Sequence, residues 1–268
     1  MLLEPVSAND DLELRDKDAA APKGLEKGDD LKKEIGKLQE RLTELQNVFY
    51  ADGRHSLLIV LQGRDASGKD GVASAVIGAF NPAGVRVNSF KVPTPLELAH
   101  DYLWRIHQVM PEKGMISVFN RSHYEDVLVV RVHNFVPKPV WSKRYKQIND
   151  FEQMLAENGT VILKFFLHVS RDEQKKRLID RVNDETKNWK FKAGDLDERN
   201  LWNEYSAAYR DVLRKTSTKW APWYFVPADS NKARNYLIAK RIVETLESLD
   251  LKYPEPKTDL KQYLKDLK

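Results

Sequence analysis

The 268-residue chain contains no cysteine and no long apolar run. Without cysteine it can form no disulfide, no thiolate metal site and no cysteine nucleophile, which suits a reducing compartment. No stretch approaches the roughly 18 consecutive apolar residues that a membrane-spanning helix needs. The start of the chain, MLLEPVSANDDLELRDKD, is acidic and lacks the basic and apolar regions of a secretory signal. We therefore expect a cytoplasmic protein that does not engage a membrane.

Local clusters of basic residues are more informative than the net charge of +4. Residues 127–149 include no acid, and bases outnumber acids in residues 171–192. Two basic stretches in one chain favour a long or highly charged anionic ligand. Solvated helix faces would give the same composition, and the sequence alone leaves both interpretations open.

Apolar periodicity divides the chain into one domain with two extensions. Residues 1–28 are polar and aperiodic, which predicts a flexible N-terminal arm, and residues 256–268 form a loose C-terminal tail. Between them, predicted strands and helices alternate, which is typical of a parallel sheet covered by helices on both faces. Thr94-Pro95-Leu96-Glu97 is a capping box that predicts a helix to about Met110. The predicted strands are residues 56–62, 85–91, 115–119, 161–168 and 223–227. Residues 122–133 are expected to be helical, and a small helical insert is expected near 183–197.

A phosphate-binding loop follows the first predicted strand. Residues 63–69, Gly-Arg-Asp-Ala-Ser-Gly-Lys, match G-x-x-x-x-G-K between a strand and a helix, which is the context that this motif requires. Its glycines let the backbone curl around an oxyanion, and the following helix adds positive potential. Lys69 supplies a mobile charge to the phosphate being transferred. We expect the phosphates to be bound by Gly63, Arg64, Ala66, Ser67, Gly68 and Lys69.

Carboxylates replace the hydroxyl that usually binds Mg²⁺ in such loops. The residue after the lysine is Asp70 instead of serine or threonine, and the loop itself contains Asp65. A carboxylate beside an anion cradle is costly unless a cation bridges it to the phosphate. Asp65 is the better candidate for a metal ligand because it lies within the loop. Asp70 is counted with the phosphate-binding residues, although a favourable charge on the first helical turn is the better explanation for it.

A second motif, residues 119–126 (Phe-Asn-Arg-Ser-His-Tyr-Glu-Asp), follows the third predicted strand. Arg121 can form two hydrogen bonds to phosphate oxygens and neutralise charge during transfer. Ser122-x-x-Glu125 also reads as a capping box, so Glu125 is either a helix cap, a functional carboxylate or both. His123 and Tyr124 are expected to pack in the interior.

Together these motifs resemble the polyphosphate kinase 2 family, and within it the subgroup that phosphorylates nucleoside mono- and diphosphates. The resemblance extends over about residues 30–255 and includes Trp189-Lys190-Phe191 and Ala221-Pro222-Trp223-Tyr224. It implies an α/β fold in which a P-loop kinase-like parallel sheet is sandwiched by helices, with a small helical lid at about 177–205. It also implies Mg²⁺ or Mn²⁺ as cofactor, inorganic polyphosphate as donor and a purine nucleotide, AMP/ADP or GMP/GDP, as acceptor.

The resemblance also assigns residues by position. Asp65 and Lys69 match the family's loop acid and lysine, and Arg121 matches its phosphate-binding arginine. Asn120 stands where many members have a metal-binding aspartate, so Asp126 is expected to take over part of the metal role. In the lid, Arg177 and Arg181 are expected to contact phosphates, and Trp189 either covers a base or packs. The expected catalytic residues are Asp65, Lys69, Arg121 and Glu125, and the expected nucleotide-binding residues are Asn120, Glu125 and Trp189.

Two alternatives remain at this point. An ATP-dependent nucleoside or nucleotide kinase of the thymidylate kinase type would share the architecture, although its loop would normally end in Lys-Ser or Lys-Thr. A polyanion-binding protein with a disabled loop is less compatible with the retention of Lys69 and Arg121. The family resemblance also implies a homo-oligomer, a dimer or tetramer, and we expect no nucleic acid among its partners.

Overall fold

The computed structural model describes residues 2–7, 10, 12–25 and 28–267. The five strands are β1 (Ser56–Gln62), β2 (Val85–Ser89), β3 (Ile116–Asn120), β4 (Thr160–His168) and β5 (Trp223–Pro227). The α-helices are α1 (Gly28–Asp52), α2 (Lys69–Ala75), α3 (Pro95–Leu98), α4 (Trp104–His107), α5 (Val129–Val132), α6 (Lys138–Glu157), α7 (Arg171–Asn183), α8 (Gly194–Asn200), α9 (Trp202–Thr216) and α10 (Asn231–Glu247). Short 3-10 helices include His123–Val127 and Asn188–Lys190. No helix in the described ranges is both long and apolar enough to cross a bilayer.

The strands form one parallel sheet in the order β2-β3-β1-β4-β5. Every residue of β1 is buried, as expected for a central strand covered on both faces. The chain builds outward from β1 in two directions, first to β2 and β3 and then to β4 and β5. Ligands of open α/β sheets bind outside the carboxyl ends of the strands at such a reversal. The loop after β1 therefore lies in the crevice that the topology creates.

Alternate residues of β1 belong to two separate apolar cores. Leu57, Ile59 and Leu61 pack with α1, α2 and α10 on one face of the sheet. Leu58 and Val60 pack with α4, α6 and α9 on the other face. The predicted fold class, a parallel sheet sandwiched by helices, is confirmed.

Two predicted helices are interrupted in the structure. The capping box at Thr94 forms, with reciprocal bonds between Thr94 and Glu97, but α3 ends at Leu98 instead of near Met110. The carboxylate of Asp101 accepts from the amide of Leu103 and starts a new turn, which leads into α4. The segment 122–133, expected to be one helix, is a 3-10 helix followed by the short α5. The irregular insert expected near 183–197 contains the 3-10 helix Asn188–Lys190 and the start of α8.

The N-terminal segment, expected to be a flexible arm over residues 1–28, is docked in its described part. Pro5 forms an antiparallel bridge with Tyr224, and Val6 donates its amide to the carbonyl of Trp223 at 2.8 Å. Leu3, Val6, Leu14 and Ala19 are buried. The segment thus covers the edge strand β5, which would otherwise present unpaired backbone groups. Residues 1, 8, 9, 11, 26 and 27 of the expected arm, and residue 268 of the tail, lie outside the described residues.

A buried polar network fixes the segment after β3 against β4 and α6. The Lys164 ammonium in β4 donates to Glu152 at 2.6 Å, to the Tyr124 hydroxyl at 2.7 Å and to the Thr216 carbonyl at 2.7 Å. Glu152 also accepts from Tyr124 at 2.7 Å and lies 3.1 Å from the His123 ring. Burial lowers the pKa of Lys164, while Lys164 and His123 outweigh burial and lower the pKa of Glu152. His123 and Tyr124 therefore have the interior role predicted for them.

Replacing Lys164 with methionine should destabilise the protein strongly. The change leaves the fully buried Glu152 carboxylate without its cation, a loss that typically costs about 3–5 kcal/mol. Lys146→Met is a matched control because Lys146 pairs with Asp150 on the exposed surface of α6, and its loss should cost at most about 1 kcal/mol. Urea unfolding followed by circular dichroism measures both variants. Equal losses of unfolding free energy would contradict the role of the network.

Candidate functional site

The phosphate loop, residues 63–69, connects β1 to α2 and is held by side chains from other helices. Ala66 has a left-handed backbone, with φ of 60°. Its carbonyl accepts from Arg177 of α7 at 3.0 Å, and the Asp65 carbonyl accepts from Gln174 of α7 at 3.0 Å. These bonds fix the curl of the loop from outside and leave its concave side to a ligand.

A second arginine, Arg234 of α10, lies beneath the loop. It is 2% exposed and bonds to the side chains of Asn231 and Asn235. A Cβ at residue 68 would overlap its guanidinium, and Gly68 also has φ of 98°, so both space and backbone conformation require glycine there. Burial, with a smaller contribution from the charge of Arg177, lowers the pKa of Arg234 to about 9. Nothing in the sequence around Arg234 indicated this contact.

Lys69 lies across the mouth of the loop. Its ammonium donates to the carbonyl of Gly63 at 2.7 Å and to that of Arg64 at 3.1 Å, and the residue is 7% exposed. Burial, and then the charge of Arg121, lower the pKa of Lys69 to about 8, against the opposing effect of nearby carboxylates. The lysine is therefore a cation in a low-dielectric position, where its field on a bound phosphate is strong.

Arg121 joins the second motif to the phosphate loop. Its Nη2 lies 2.5 Å from Oδ1 of Asp65, and its Nη1 lies 3.8 Å from Oε2 of Glu125. Burial would lower the pKa of Arg121, but the charges of Glu125 and Asp65 outweigh it and raise the pKa. The backbone is left-handed at this residue, with φ of 63°, and its amide donates to the Leu61 carbonyl at 3.1 Å. This geometry directs the side chain across the crevice towards the loop.

The Glu125 carboxylate lies in the site and does not form the capping box. It accepts from the Gln62 amide and faces Arg121, while the Ser122 hydroxyl accepts from the amide of Tyr124 at 3.2 Å. Gln62, the last residue of β1, was missed by sequence reasoning. The sequence feature that could have identified Gln62 is a polar side chain at the carboxyl end of the strand, directly after the apolar run 57–61.

Asn120 and Asp70 form a polar bridge beside the loop. The Asn120 amide donates to Oδ1 of Asp70 at 2.8 Å, and Lys190 of the lid lies 3.1 Å from Oδ2. Burial raises the pKa of Asp70, but these two partners outweigh it and the pKa is lowered. The Asp70 carboxylate therefore connects the end of β3 with the lid, in addition to adding charge to the first turn of α2.

The two predicted metal ligands have different surroundings. Asp126 accepts from Arg144 at 2.8 Å, and burial raises its pKa to about 6. It lines a cavity of about 520 Å³ whose walls include Tyr102 and Arg105 and no residue of the phosphate loop. Among the described residues, no three acidic or histidine side chains are grouped to hold a metal. Asp126 is thus paired with Arg144, and its expected part in metal binding stays a prediction.

The position of Asp65 fits the way proteins hold Mg²⁺ in phosphoryl transfer. Such ions keep several waters and use one or two carboxylates together with the substrate phosphates. The Asp65 carboxylate is about a quarter exposed, at the rim of the loop, and its neighbours Arg121 and Lys69 carry the charges that would flank those phosphates. The residues present are therefore compatible with one phosphate-bridged ion.

The expected phosphate-binding arginines differ in their contacts. Every guanidinium nitrogen of Arg177 donates to a protein oxygen, so this residue braces the loop, and its expected contact with phosphates stays a prediction. Arg181 lies 3.8 Å from Asp195 within the lid. The Arg64 side chain is also turned away from the loop, into a buried contact with α9. The Trp189 ring is 72% exposed on the lid, and its role in covering a base stays a prediction.

Known proteins resemble this chain in sequence and, for one crystal structure described below, in fold. A model of the family described as Polyphosphate kinase 2 (PPK2) matches residues 25–254. An AMP/ADP-polyphosphate phosphotransferase of Meiothermus ruber is 57% identical over 221 residues, which cover 82% of this chain and 83% of that protein. An ADP-polyphosphate phosphotransferase of Rhodopseudomonas palustris is 49% identical over 228 residues, which cover 81% and 79%.

A crystal structure of polyphosphate kinase 2 from Arthrobacter aurescens TC1 superposes with a TM-score of 0.89 at 38% sequence identity, covering 99% of this chain and 98% of that one. The family match therefore includes the phosphate loop, the second motif and the lid, and the agreement of folds extends to almost the whole chain. On these grounds the chain belongs to the polyphosphate kinase 2 family.

Proposed function

We propose that this protein is a polyphosphate-dependent nucleotide kinase that transfers phosphoryl groups from inorganic polyphosphate to AMP and ADP, forming ADP and ATP. The observation that carries the proposal is the convergence of Lys69 and Arg121 on one crevice, with Asp65 and Glu125 beside them. The names of the two relatives, one acting on AMP and ADP and one on ADP, support the choice of substrates. Guanine nucleotides remain possible acceptors.

Phosphoryl transfer requires placement and charge more than covalent chemistry. The loop would hold a donor phosphate, and Lys69 would follow the phosphoryl group as it moves. Arg121 would bridge donor and acceptor from the opposite side of the crevice. A bound Mg²⁺ would neutralise negative charge on the phosphates. A nucleotide phosphate is already a nucleophile, so the site needs no group that deprotonates an alcohol.

Glu125 and Asn120 are proposed to act on the acceptor side. Glu125 is anchored by Gln62 and faces Arg121, so its charge is fixed within the crevice. A fixed carboxylate there can orient a metal-bound water or distinguish the phosphate of a monophosphate from that of a diphosphate. The Mg²⁺ requirement, the cytoplasmic location, the absence of nucleic acid among its partners and the homo-oligomeric state stay predictions.

The donor distinguishes this proposal from an ATP-dependent kinase of the thymidylate kinase type. Purified protein incubated with ADP, polyphosphate and Mg²⁺, with no ATP added, should form ATP, detectable with luciferase. Parallel reactions with AMP, GMP and GDP, analysed by chromatography, define the acceptors. Transfer from ATP to a nucleoside or nucleotide without any transfer from polyphosphate would identify the alternative kinase. No turnover with either donor would favour a polyanion-binding protein.

Asp65→Asn should impair the reaction through loss of metal binding. Asparagine retains the shape of the side chain but removes the charge that attracts a cation. We expect the Mg²⁺ concentration for half-maximal activity to rise at least about tenfold, and Mn²⁺ binding in the presence of polyphosphate, measured by electron paramagnetic resonance, to weaken similarly. Asp150→Asn, which removes an exposed carboxylate on α6, is the control and should behave as wild type. If Asp65→Asn also behaves as wild type, the phosphates alone hold the metal.

A further inference from the structure

The Arg64 side chain, although part of the phosphate loop, is buried against α9. The residue is 7% exposed, and its guanidinium lies 4.0 Å from the centre of the Trp202 ring. Its Nη2 donates to the Trp202 carbonyl at 3.2 Å and to the Ser206 hydroxyl at 2.6 Å. The Tyr209 ring of α9 is farther away, with its centre 5.6 Å from the guanidinium. A residue that the sequence places in the phosphate loop is therefore held by α9, with Trp202 as its nearest aromatic contact.

This contact carries an electrostatic cost. Burial lowers the pKa of Arg64 to about 10, and its Nε and Nη1 have no hydrogen-bond partner in the part of the chain that the structure describes. A buried cation with unmet donors is unfavourable unless another interaction compensates. The face of the Trp202 ring provides that compensation, because its negative quadrupole attracts the guanidinium. The Trp202 ring is the nearer of two aromatic rings that face Arg64, so its loss removes the larger part of this compensation.

Trp202 stands at the junction between the lid and the body of the protein. It is the first residue of α9 and comes two residues after the end of α8. The guanidinium groups of Arg171 in α7 and Arg199 in α8 approach the same ring, at 5.9 and 6.0 Å. The helices that flank and form the lid therefore meet around one indole.

A chain of contacts returns from this junction to the loop. Arg199 donates to the Arg171 carbonyl and to the Gln174 side chain, both at 2.8 Å. The Gln174 amide then donates to the Asp65 carbonyl at 3.0 Å. Two consecutive loop residues are consequently linked to α8. Arg64 is linked through the Trp202 ring, which Arg199 of α8 also approaches, and Asp65 is linked through Gln174, which accepts a hydrogen bond from Arg199. A displacement of α8 should therefore affect both loop residues.

We propose that Trp202 is a positioning residue that couples the lid to the phosphate loop. Arg64 of the loop, Arg171 of α7 and Arg199 of α8 all approach its ring, so the curvature of the loop and the placement of α8 are set together. This part of the inference rests on the proposed function: the coupling would hold the loop in the conformation that binds the polyphosphate donor. Loss of the ring should make both the loop and the lid more flexible and should weaken the use of polyphosphate. The stability of the fold should be affected less.

Hydrogen–deuterium exchange on Trp202→Leu tests the coupling without any substrate. We expect faster exchange in both residues 64–69 and residues 188–200, each by at least about fivefold, because the opening free energy of both segments falls. Trp141→Leu is the matched control. Trp141 is also 8% exposed and stacked by an arginine, Arg131 at 4.8 Å, but it lies on α6 away from the loop. The control should leave both segments at wild-type rates, and Trp202→Phe should restore most of their protection.

Steady-state kinetics supply a second readout. For Trp202→Leu the KM for polyphosphate should rise about tenfold, with kcat changed less, at a melting temperature similar to that of Trp141→Leu. Wild-type exchange in residues 64–69 of folded Trp202→Leu, or equal effects of the two leucine variants, would overturn the proposal. If Trp202→Leu fails to fold, Gln174→Met breaks the other contact and must loosen the same two segments. Failure of wild type to use polyphosphate would refute the proposed function and leave the exchange test intact.

Discussion

The constraint on which this structure depends is the confinement of several cations around one loop. Lys69, Arg121, Arg177 and Arg234 all lie at the carboxyl edge of a parallel sheet, and the pKa values of the buried Lys69 and Arg234 are lowered. The positive charges of these side chains repel one another, and hydrogen bonds to protein oxygens offset that repulsion. Carbonyls of the loop, the side chain of Asp65 and the amide oxygens beneath Arg234 fill that role. The loop and these cations together form a binding site whose positive electrostatic potential acts on an anionic ligand.

The remainder of the fold keeps this cradle in place. The order of the strands sets β1 between β3 and β4, so the loop, Asn120 and Arg121 emerge side by side. The Lys164–Glu152 network holds the segment after β3 from below, and α7 and α10 hold the loop from its outer side. Asp70 and Lys190 add a polar contact to the lid. Each of these groups acts by restricting backbone or side-chain freedom before substrate arrives, which is how preorganised sites lower a barrier.

Much of this could be predicted from the sequence because it depends on local pattern. The apolar run of β1, the loop motif and the second motif fixed the fold class and the meeting of Asp65, Lys69 and Arg121. Long-range contacts escaped prediction: Arg234 is 166 positions from Gly68 in the printed sequence, and no spacing rule connects them. The contacts of individual charged side chains within the protein also escaped prediction. Arg64, Arg177 and Asp126 have the right chemistry for phosphate or metal, but burial and nearby partners commit them to other contacts.

The central claim is that Lys69 contributes to function by its charge and not by filling space. Methionine has nearly the same length and no charge, so Lys69→Met separates the two. Electrostatic stabilisation of a transferring phosphoryl group is typically worth about 3 kcal/mol, which corresponds to a fall in kcat of about 10²-fold. We expect that fall in polyphosphate-dependent ATP formation, together with a circular dichroism spectrum like that of wild type. A folded Lys69→Met protein that forms ATP at close to the wild-type rate would contradict the assignment of the phosphate loop as the site of transfer.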